Sequence, residues 1–457
     1  MAYYKWCQMV GLDIKPHQVE GHKWCTQREK SPTLAGGVIC DEMGLGKTIL
    51  MLGSILFNTK KTLIVVPPCL VNQWEKCISK YLFNHKVYVF HGAKSKISMS
   101  KLETLPIVLT TYGMVATRKK GYVSKLWKCK WGRIIFDEAH HMRNYKTNIF
   151  KGCMKMKSTI RWLITGTPIQ NSYKDLRALF AVLGKIVQGE NEMKECIKSL
   201  VLRRTKKGVG IKIPNLKKNT ILVKWKSKAE KSLAASIHAM LPTFGVTNEN
   251  VNEIIEWLDY ESPLPLFVRA RQVCIDHNLL HPCVEKLREE GVIPRDFVMR
   301  NIRTTSKITA VVKKVISQPK EIKKIIFCYY RGEIDILKER LTNANYKVAV
   351  IDGRSKKSEK KAACDPEENY DILLAQIQTA SEGLNLQHFS QVYFTSPHWN
   401  PAVEDQAIAR AHRIGQSKEV QTFHFEMEPF SKEGQSIDNY CMSVQKRKRD
   451  LMKILNQ

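Results

Sequence analysis

The strongest constraint on this chain is a recurrence: short apolar, β-branched runs separated by stretches long enough to form a helix. In the first part the runs are Thr62 to Val66, Lys86 to Phe90, Pro106 to Tyr112, Arg133 to Phe136 and Ile160 to Ile164. A second set follows as Ile325 to Tyr329, Lys347 to Ile351, Ile372 to Ala375, Gln391 to Phe394 and Val420 to Phe425. Continuous apolar runs predict strands buried on both faces, and helix-length spacers predict parallel pairing. The expected fold is therefore α/β, with two parallel-sheet lobes. Between them, Lys185 to Thr305 reads as longer helical candidates with no obvious sheet. This divides the chain into 1–185, 186–305 and 306–457. No internal repeat or low-complexity tract argues for a solenoid or a linker-dominated chain.

Charge narrows the partner. Lys and Arg number 74 against 43 Asp and Glu, a net +31 over 457 residues, and 43% of residues are hydrophobic. That apolar content supports a packed core and argues against a disordered basic arm. A folded protein this basic is expected to meet a polyanion, nucleic acid before an anionic membrane. No apolar stretch approaches the roughly 20 residues that span a bilayer, and Met1 to Trp6 lacks the apolar core of a secretory signal. The 13 cysteines contain no C-x-x-C pair, which suggests neither a disulfide framework nor a zinc ribbon and points to a reducing intracellular compartment. From Lys194 to Lys231 there are 13 basic residues and 2 acidic ones, the densest basic stretch and the expected place for phosphate contacts.

The most informative segment is Asp41-Glu42-Met43-Gly44-Leu45-Gly46-Lys47-Thr48. Two glycines let the backbone curl its N–H groups around a phosphate, and the following helix N-terminus favours negative charge. Lys47 can reach the outer phosphates and the Thr48 hydroxyl can ligate Mg²⁺. Asp41 stands where the plain G-x-x-x-x-G-K pattern has its first glycine. A glycine-rich loop alone is often only a tight turn, but the Gly-Lys-Thr ending argues for ATP. Further on, an apolar strand runs into Asp137 and Glu138. An isolated Asp-Glu pair is usually a solvated turn. At a strand end in an α/β protein with a phosphate loop, Asp137 is placed to hold Mg²⁺ and Glu138 to orient and deprotonate water.

The ordered series Asp41 to Thr48, Asp137-Glu-Ala-His140, Leu163-Ile-Thr-Gly-Thr-Pro-Ile-Gln-Asn171 and Gln406-x-x-x-Arg410-Ala-His-Arg413-Ile-Gly-Gln416 resembles the Swi/Snf-related DNA-dependent ATPases of helicase superfamily two. Leu12 to Gln18, Leu63 to Pro67 with Gln73-Trp74, Leu109 to Tyr112, Leu202 to Lys206, Gly383 to Leu386 and Trp399 to Pro401 extend the match over nearly the whole chain. The resemblance implies two RecA-like lobes, ATP between them and duplex DNA across both. It implies adenine recognition by Gln18 and arginine fingers at Arg410 and Arg413, whose planar, permanent charge suits a developing phosphoryl transition state. It also implies DNA contacts at Asn171, Trp399, Arg203 and Arg204, although Trp399 also reads as a core residue beside Pro397 and Pro401. Ser381, Glu382 and His398 depart from the family pattern.

Two weaker signals remain. Cys274, His277, His281 and Cys283 have spacings compatible with zinc, but the segment resembles a metal-free family helix ending in His-Pro. Gln445 to Arg449 reads as an import signal, a DNA-contacting tail or a solvated helix end. The expected activity is an ATP- and Mg²⁺-using translocase on double-stranded DNA, monomeric, with no membrane association. It would act on nucleosomes or stalled polymerases in a nucleus or another DNA-containing compartment, a viral one included. A strand-separating DNA or RNA helicase and a non-catalytic nucleic-acid scaffold are the competing readings. The scaffold is disfavoured because no lysine, acidic pair or arginine finger is lost.

Overall fold

The computed structural model describes residues 2–83, 85–118, 122–169, 173–241, 264–291, 293, 302, 304–380, 384–431 and 434–453. The chain forms two compact units, Met1–Lys212 and Ile213–Arg449. The first contains β1 (Ala35–Ile39), β2 (Thr62–Val66), β3 (Val87–Phe90), β4 (Ile107–Thr111), β5 (Lys130–Asp137), β6 (Lys157–Ile164) and β7 (Val201–Leu202). All pair in parallel, in the order β3-β4-β2-β5-β6-β1-β7. The second contains β8 (Leu216–Val223), β9 (Lys324–Cys328), β10 (Val348–Ile351), β11 (Ile372–Gln376), β12 (Gln391–Phe394) and β13 (Val420–Met427). They form another parallel sheet, in the order β10-β11-β9-β12-β13-β8.

Strand periodicity explains why the runs are apolar throughout. Leu63, Val65, Ile134 and Phe136 enter one core layer, whereas Ile64, Val66 and Ile135 enter the layer on the opposite face. In the second unit, Ile326, Leu374 and Tyr393 pack on one side and Ile325, Leu373 and Val392 on the other. The central strands β2 and β9 are therefore buried along their whole length, whereas the edge strand β8 exposes Lys217 and Lys218.

Two expectations need correction. The stretch between the lobes is not free of sheet: β7 extends the first sheet and β8 forms an edge of the second. The run Ala35-Gly-Gly-Val-Ile39 also carried no strand expectation, yet β1 lies between β6 and β7. Its glycines are steric necessities. Gly36 has φ +108°, and a Cβ there would collide with the Arg161 carbonyl. A Cβ at Gly37 would lie 2.8 Å from the Leu200 carbonyl oxygen.

A buried ion pair locks the helix Pro16–Glu29, which carries Gln18, to the sheet. Arg133 on β5 donates from Nε and Nη2 to the two Glu29 carboxylate oxygens, each at 2.7 Å. Trp162 Nε1 donates to Oε1 at 2.8 Å and Asn58 Nδ2 to Oε2 at 2.6 Å. The Arg133 side chain is wholly buried. Removing one partner strands the other charge away from water, so Glu29→Ala should destabilise the first unit by about 3–5 kcal/mol. A guanidinium titration followed by tryptophan fluorescence checks this, and an unchanged midpoint would contradict it.

Candidate functional site

The parallel register brings the key loops of the first unit to one sheet end. Ile39 pairs with Ile164, and Ile164 with Asp137. The glycine loop, the acidic pair and the Thr165 segment therefore leave adjacent strands at the same level. Thr165 N donates to Ile39 O at 3.0 Å.

Gly44 and Gly46 have φ values of +89° and +82°. A Cβ at Gly46 would collide with the Gln18 amide, so the loop must remain bare there. Gln18 is buried, and its Nε2 donates to Leu45 O at 3.5 Å. Lys47 opens the helix Lys47–Phe57, with Thr48 in its first turn. Its Nζ donates to the Asp41 carbonyl at 2.7 Å and the Glu42 carbonyl at 3.4 Å. A Cβ at Gly166 would lie 3.4 Å from Met43 Cγ and 3.9 Å from Lys47 Nζ, which places the Thr-Gly-Thr segment beside the lysine.

Asp137 ends β5 and is buried. Trp74 Nε1 donates to its Oδ2 at 2.7 Å, and the Glu138 amide donates to Oδ1 at 2.9 Å. Burial and, second, the neighbouring Glu138 charge push the Asp137 carboxyl up to about 6. Glu138 adopts φ +50°, a left-handed conformation costly for a residue with a Cβ, and such strain tends to be retained at functional sites. Its Oε2 lies 3.3 Å from His140 Nδ1, which is 3.4 Å from Thr165 Oγ1. Glu138, His140 and Thr165 thus form one polar chain between the acidic pair and the Thr165 segment. Trp74 and His140 occurred in the matched motifs but carried no expected role. Trp74's partner Asp137 and His140's partner Thr165 are distant in sequence and become visible only with the sheet.

The residues present fit a nucleotide triphosphate and its cation. The loop has bare glycine backbone, Lys47 is bonded to carbonyls rather than to a carboxylate, and two carboxylates follow a neighbouring strand. Among the described residues, no group of three or more His, Cys, Asp or Glu could itself hold a metal.

The residues expected at DNA or zinc have the following surroundings. The Arg204 side chain, expected at the DNA, is mostly buried. Its guanidinium pairs with the buried Asp41 carboxylate, Nε donating to Oδ1 at 3.1 Å and Nη2 to Oδ2, while Nη1 donates to His17 O. Arg203 is half-buried beside it. Asn171, Ser381, Glu382 and Gly383 lie outside the described residues. Trp399 is half-buried against the core of the second unit. Its ring meets Phe267 edge-on at 6.2 Å and carries the Arg271 guanidinium at 4.8 Å. Cys274 Sγ lies 3.8 Å from His238 Nε2, whereas Cys283 Sγ donates to Leu280 O at 3.2 Å. The zinc-like spacing therefore does not converge on a site.

In the second unit Arg410 lies in the last turn of the helix Pro401–Ala411, with Arg413 in the turn beyond. That turn is fixed by Gln416, whose Nε2 donates to Gln387 O at 2.7 Å, Phe389 O at 3.0 Å and Ala411 O at 3.2 Å. The basic C-terminal run also packs on this helix: Gln445 Nε2 donates to Glu404 Oε1 at 2.8 Å and Arg449 pairs with Asp405 at 2.9 Å. It is therefore not simply a solvated tail.

Glu404 is buried under these contacts, and burial pushes its carboxyl up to about 7. His424, 3.6 Å away, is held down to about 4 by its own burial and is neutral near pH 7, so it supplies no counter-charge. A folded-state value above the unfolded one means that ionisation destabilises the fold as pH rises from about 4.5 to 7. Glu404→Gln should therefore gain stability relative to the parent across that window, by about 3 kcal/mol. Thermal melts at pH 5 and pH 8 test this, and an equal difference at both would contradict it.

An SNF2-related domain model matches residues 17–190 and a helicase conserved C-terminal domain model matches residues 306–415. The probable global transactivator of Orgyia pseudotsugata multicapsid polyhedrosis virus is 26% identical, covering 95% of this chain and 90% of its own. The human SWI/SNF-related matrix-associated actin-dependent regulator of chromatin subfamily A member 1 is 26% identical, covering 90% of this chain and 41% of its own. A solved Sulfolobus solfataricus SWI2/SNF2 ATPase core in complex with dsDNA is 22% identical and covers 91% of this chain and 88% of its own, at a TM-score of 0.42. With both domains present in order, this chain belongs to the Swi/Snf-related ATPases of helicase superfamily two.

Proposed function

We propose that the chain is an ATP-driven translocase on double-stranded DNA that remodels or displaces bound proteins such as nucleosomes or stalled transcription complexes. The observation that supports it most is the convergence of the glycine loop, Lys47, the Asp137–Glu138 pair and the Thr165 segment at one sheet end. The names of its relatives, a viral transactivator and a chromatin regulator, favour a DNA-containing compartment.

In this reading Gln18 contacts the adenine, and the backbone of Asp41 to Gly46 surrounds the phosphates. Lys47 exchanges its carbonyl partners for phosphate oxygens. Thr48 and Asp137 hold Mg²⁺, whose charge, when bound, offsets that of the phosphates. Glu138, held in its strained conformation beside His140, orients the attacking water and accepts its proton. Arg410 and Arg413 stabilise charge developing on the γ-phosphate. Hydrolysis that needs both units is then coupled to movement along the duplex. Exposed lysines at 207, 212, 217, 218, 224, 226 and 228 supply DNA phosphate contacts by displacing condensed counterions.

Phosphate release measured with and without duplex DNA tests the reading. Hydrolysis should be strongly stimulated by duplex and fall about 100-fold or more in Lys47→Ala and in Glu138→Gln. Stimulation should drop steeply over roughly 50 to 200 mM salt while basal turnover changes little. Stimulation by single-stranded RNA alone, or a stimulated rate indifferent to salt, would contradict it.

A further inference from the structure

The Arg204–Asp41 pair forms part of a larger attachment. β7 pairs in parallel with β1 at the sheet edge, where Cys40 N donates to Leu202 O at 2.7 Å and Glu42 N to Arg204 O at 2.9 Å. Lys206 N donates to Glu42 Oε2 at 2.7 Å, and its ammonium lies 3.5 Å from Oε1. Arg204 therefore holds Asp41 by its carboxylate, while the Asp41 carbonyl accepts from Lys47 Nζ at 2.7 Å. One residue joins the connector to the phosphate lysine. The helix Pro16–Glu29 accommodates the guanidinium at Gly21, where a Cβ would stand 2.8 Å from Arg204 Nη2. The same guanidinium donates to His17 O, one residue before Gln18.

We propose that Arg204 is a positioning residue for the nucleotide loop: through Asp41 and His17 it sets the loop, Lys47 and Gln18 in register with one another. This rests on the reading of the loop as the ATP site. The aspartate in place of a loop glycine is then the anchor that makes the loop answer to the connector. The geometry suits arginine rather than lysine. Three donors of one planar fork reach two carboxylate oxygens and a carbonyl, which a single ammonium cannot span.

The test uses the full chain with ATP and a labelled DNA duplex. Arg204→Ala should raise the KM for ATP about tenfold with a smaller effect on kcat, the pattern of lost nucleotide binding. Duplex affinity and its salt slope should stay within about twofold of the parent, since a lost phosphate contact would instead lower the slope by about one. Arg204→Lys should fall between Ala and the parent. Asp41→Asn should reproduce the KM effect, and the double variant should be no worse than the more impaired single one, because both remove the same contact. If Arg204→Ala does not fold, Asp41→Asn and Arg204→Lys carry the test. An unchanged KM with weakened duplex binding would overturn the proposal and place Arg204 on DNA. Hydrolysis surviving in Lys47→Ala would instead overturn the assignment of the ATP site itself.

Discussion

The parallel register of β1, β6 and β5 is the constraint on which the rest of the first unit depends. Parallel strands need a crossover between each pair, so residues that meet at one sheet end are far apart in the chain. With Ile39 opposite Ile164 and Ile164 opposite Asp137, the glycine loop, the acidic pair and the Thr165 segment start level. The finer geometry follows from what each strand end can satisfy. Asp137 can remain buried because Trp74 and the Glu138 amide donate to it, and Glu138 turns into a left-handed conformation that leaves its carboxylate beside His140.

The net charge of +31 divides into two populations with different physics. Some basic side chains are internal struts: Arg133 on Glu29, Arg204 on Asp41, and Lys307 on Asp438 and Ser396. Buried pairs of this kind contribute little net energy relative to apolar replacements but are costly to break from one side. Their value lies in fixing which surfaces meet. The lysines at 207, 212, 217, 218, 224, 226 and 228 are exposed, and only such charges remain to meet a polyanion. Composition reports the sum and cannot separate the two.

Much of the fold was legible because parallel strands covered on both faces leave an unmistakable apolar signature, as in Leu63 to Val66 and Leu373 to Ala375. β1 escaped because its signature is close approach rather than apolarity, and Gly36 and Gly37 have no pattern until their neighbours are known. β8, with Lys217 and Lys218 on an exposed edge, lacks the apolar continuity by which central strands are recognised. The residues proposed for the nucleotide site stood out in the sequence because phosphate chemistry requires particular residue types at fixed local spacing. Residues acting through distant partners did not. Trp74 reaches Asp137, and Arg204 looks like any basic residue until Asp41 is seen beside it. Trp399 shows the same limit, since its aromaticity suits a DNA surface as well as the packing on Phe267 and Arg271 that the fold gives it.

The first unit gathers the glycine loop, the acidic pair and the Thr165 segment at one sheet end, and Arg204 ties that loop to the connector. The central claim is that hydrolysis moves the protein along intact duplex. Displacement of a third strand from a DNA triplex, followed during ATP turnover, tests this most directly. The account predicts ATP-dependent release of the third strand with the underlying duplex still paired. Duplex-stimulated turnover without release, or release accompanied by separation of the duplex strands, would contradict it.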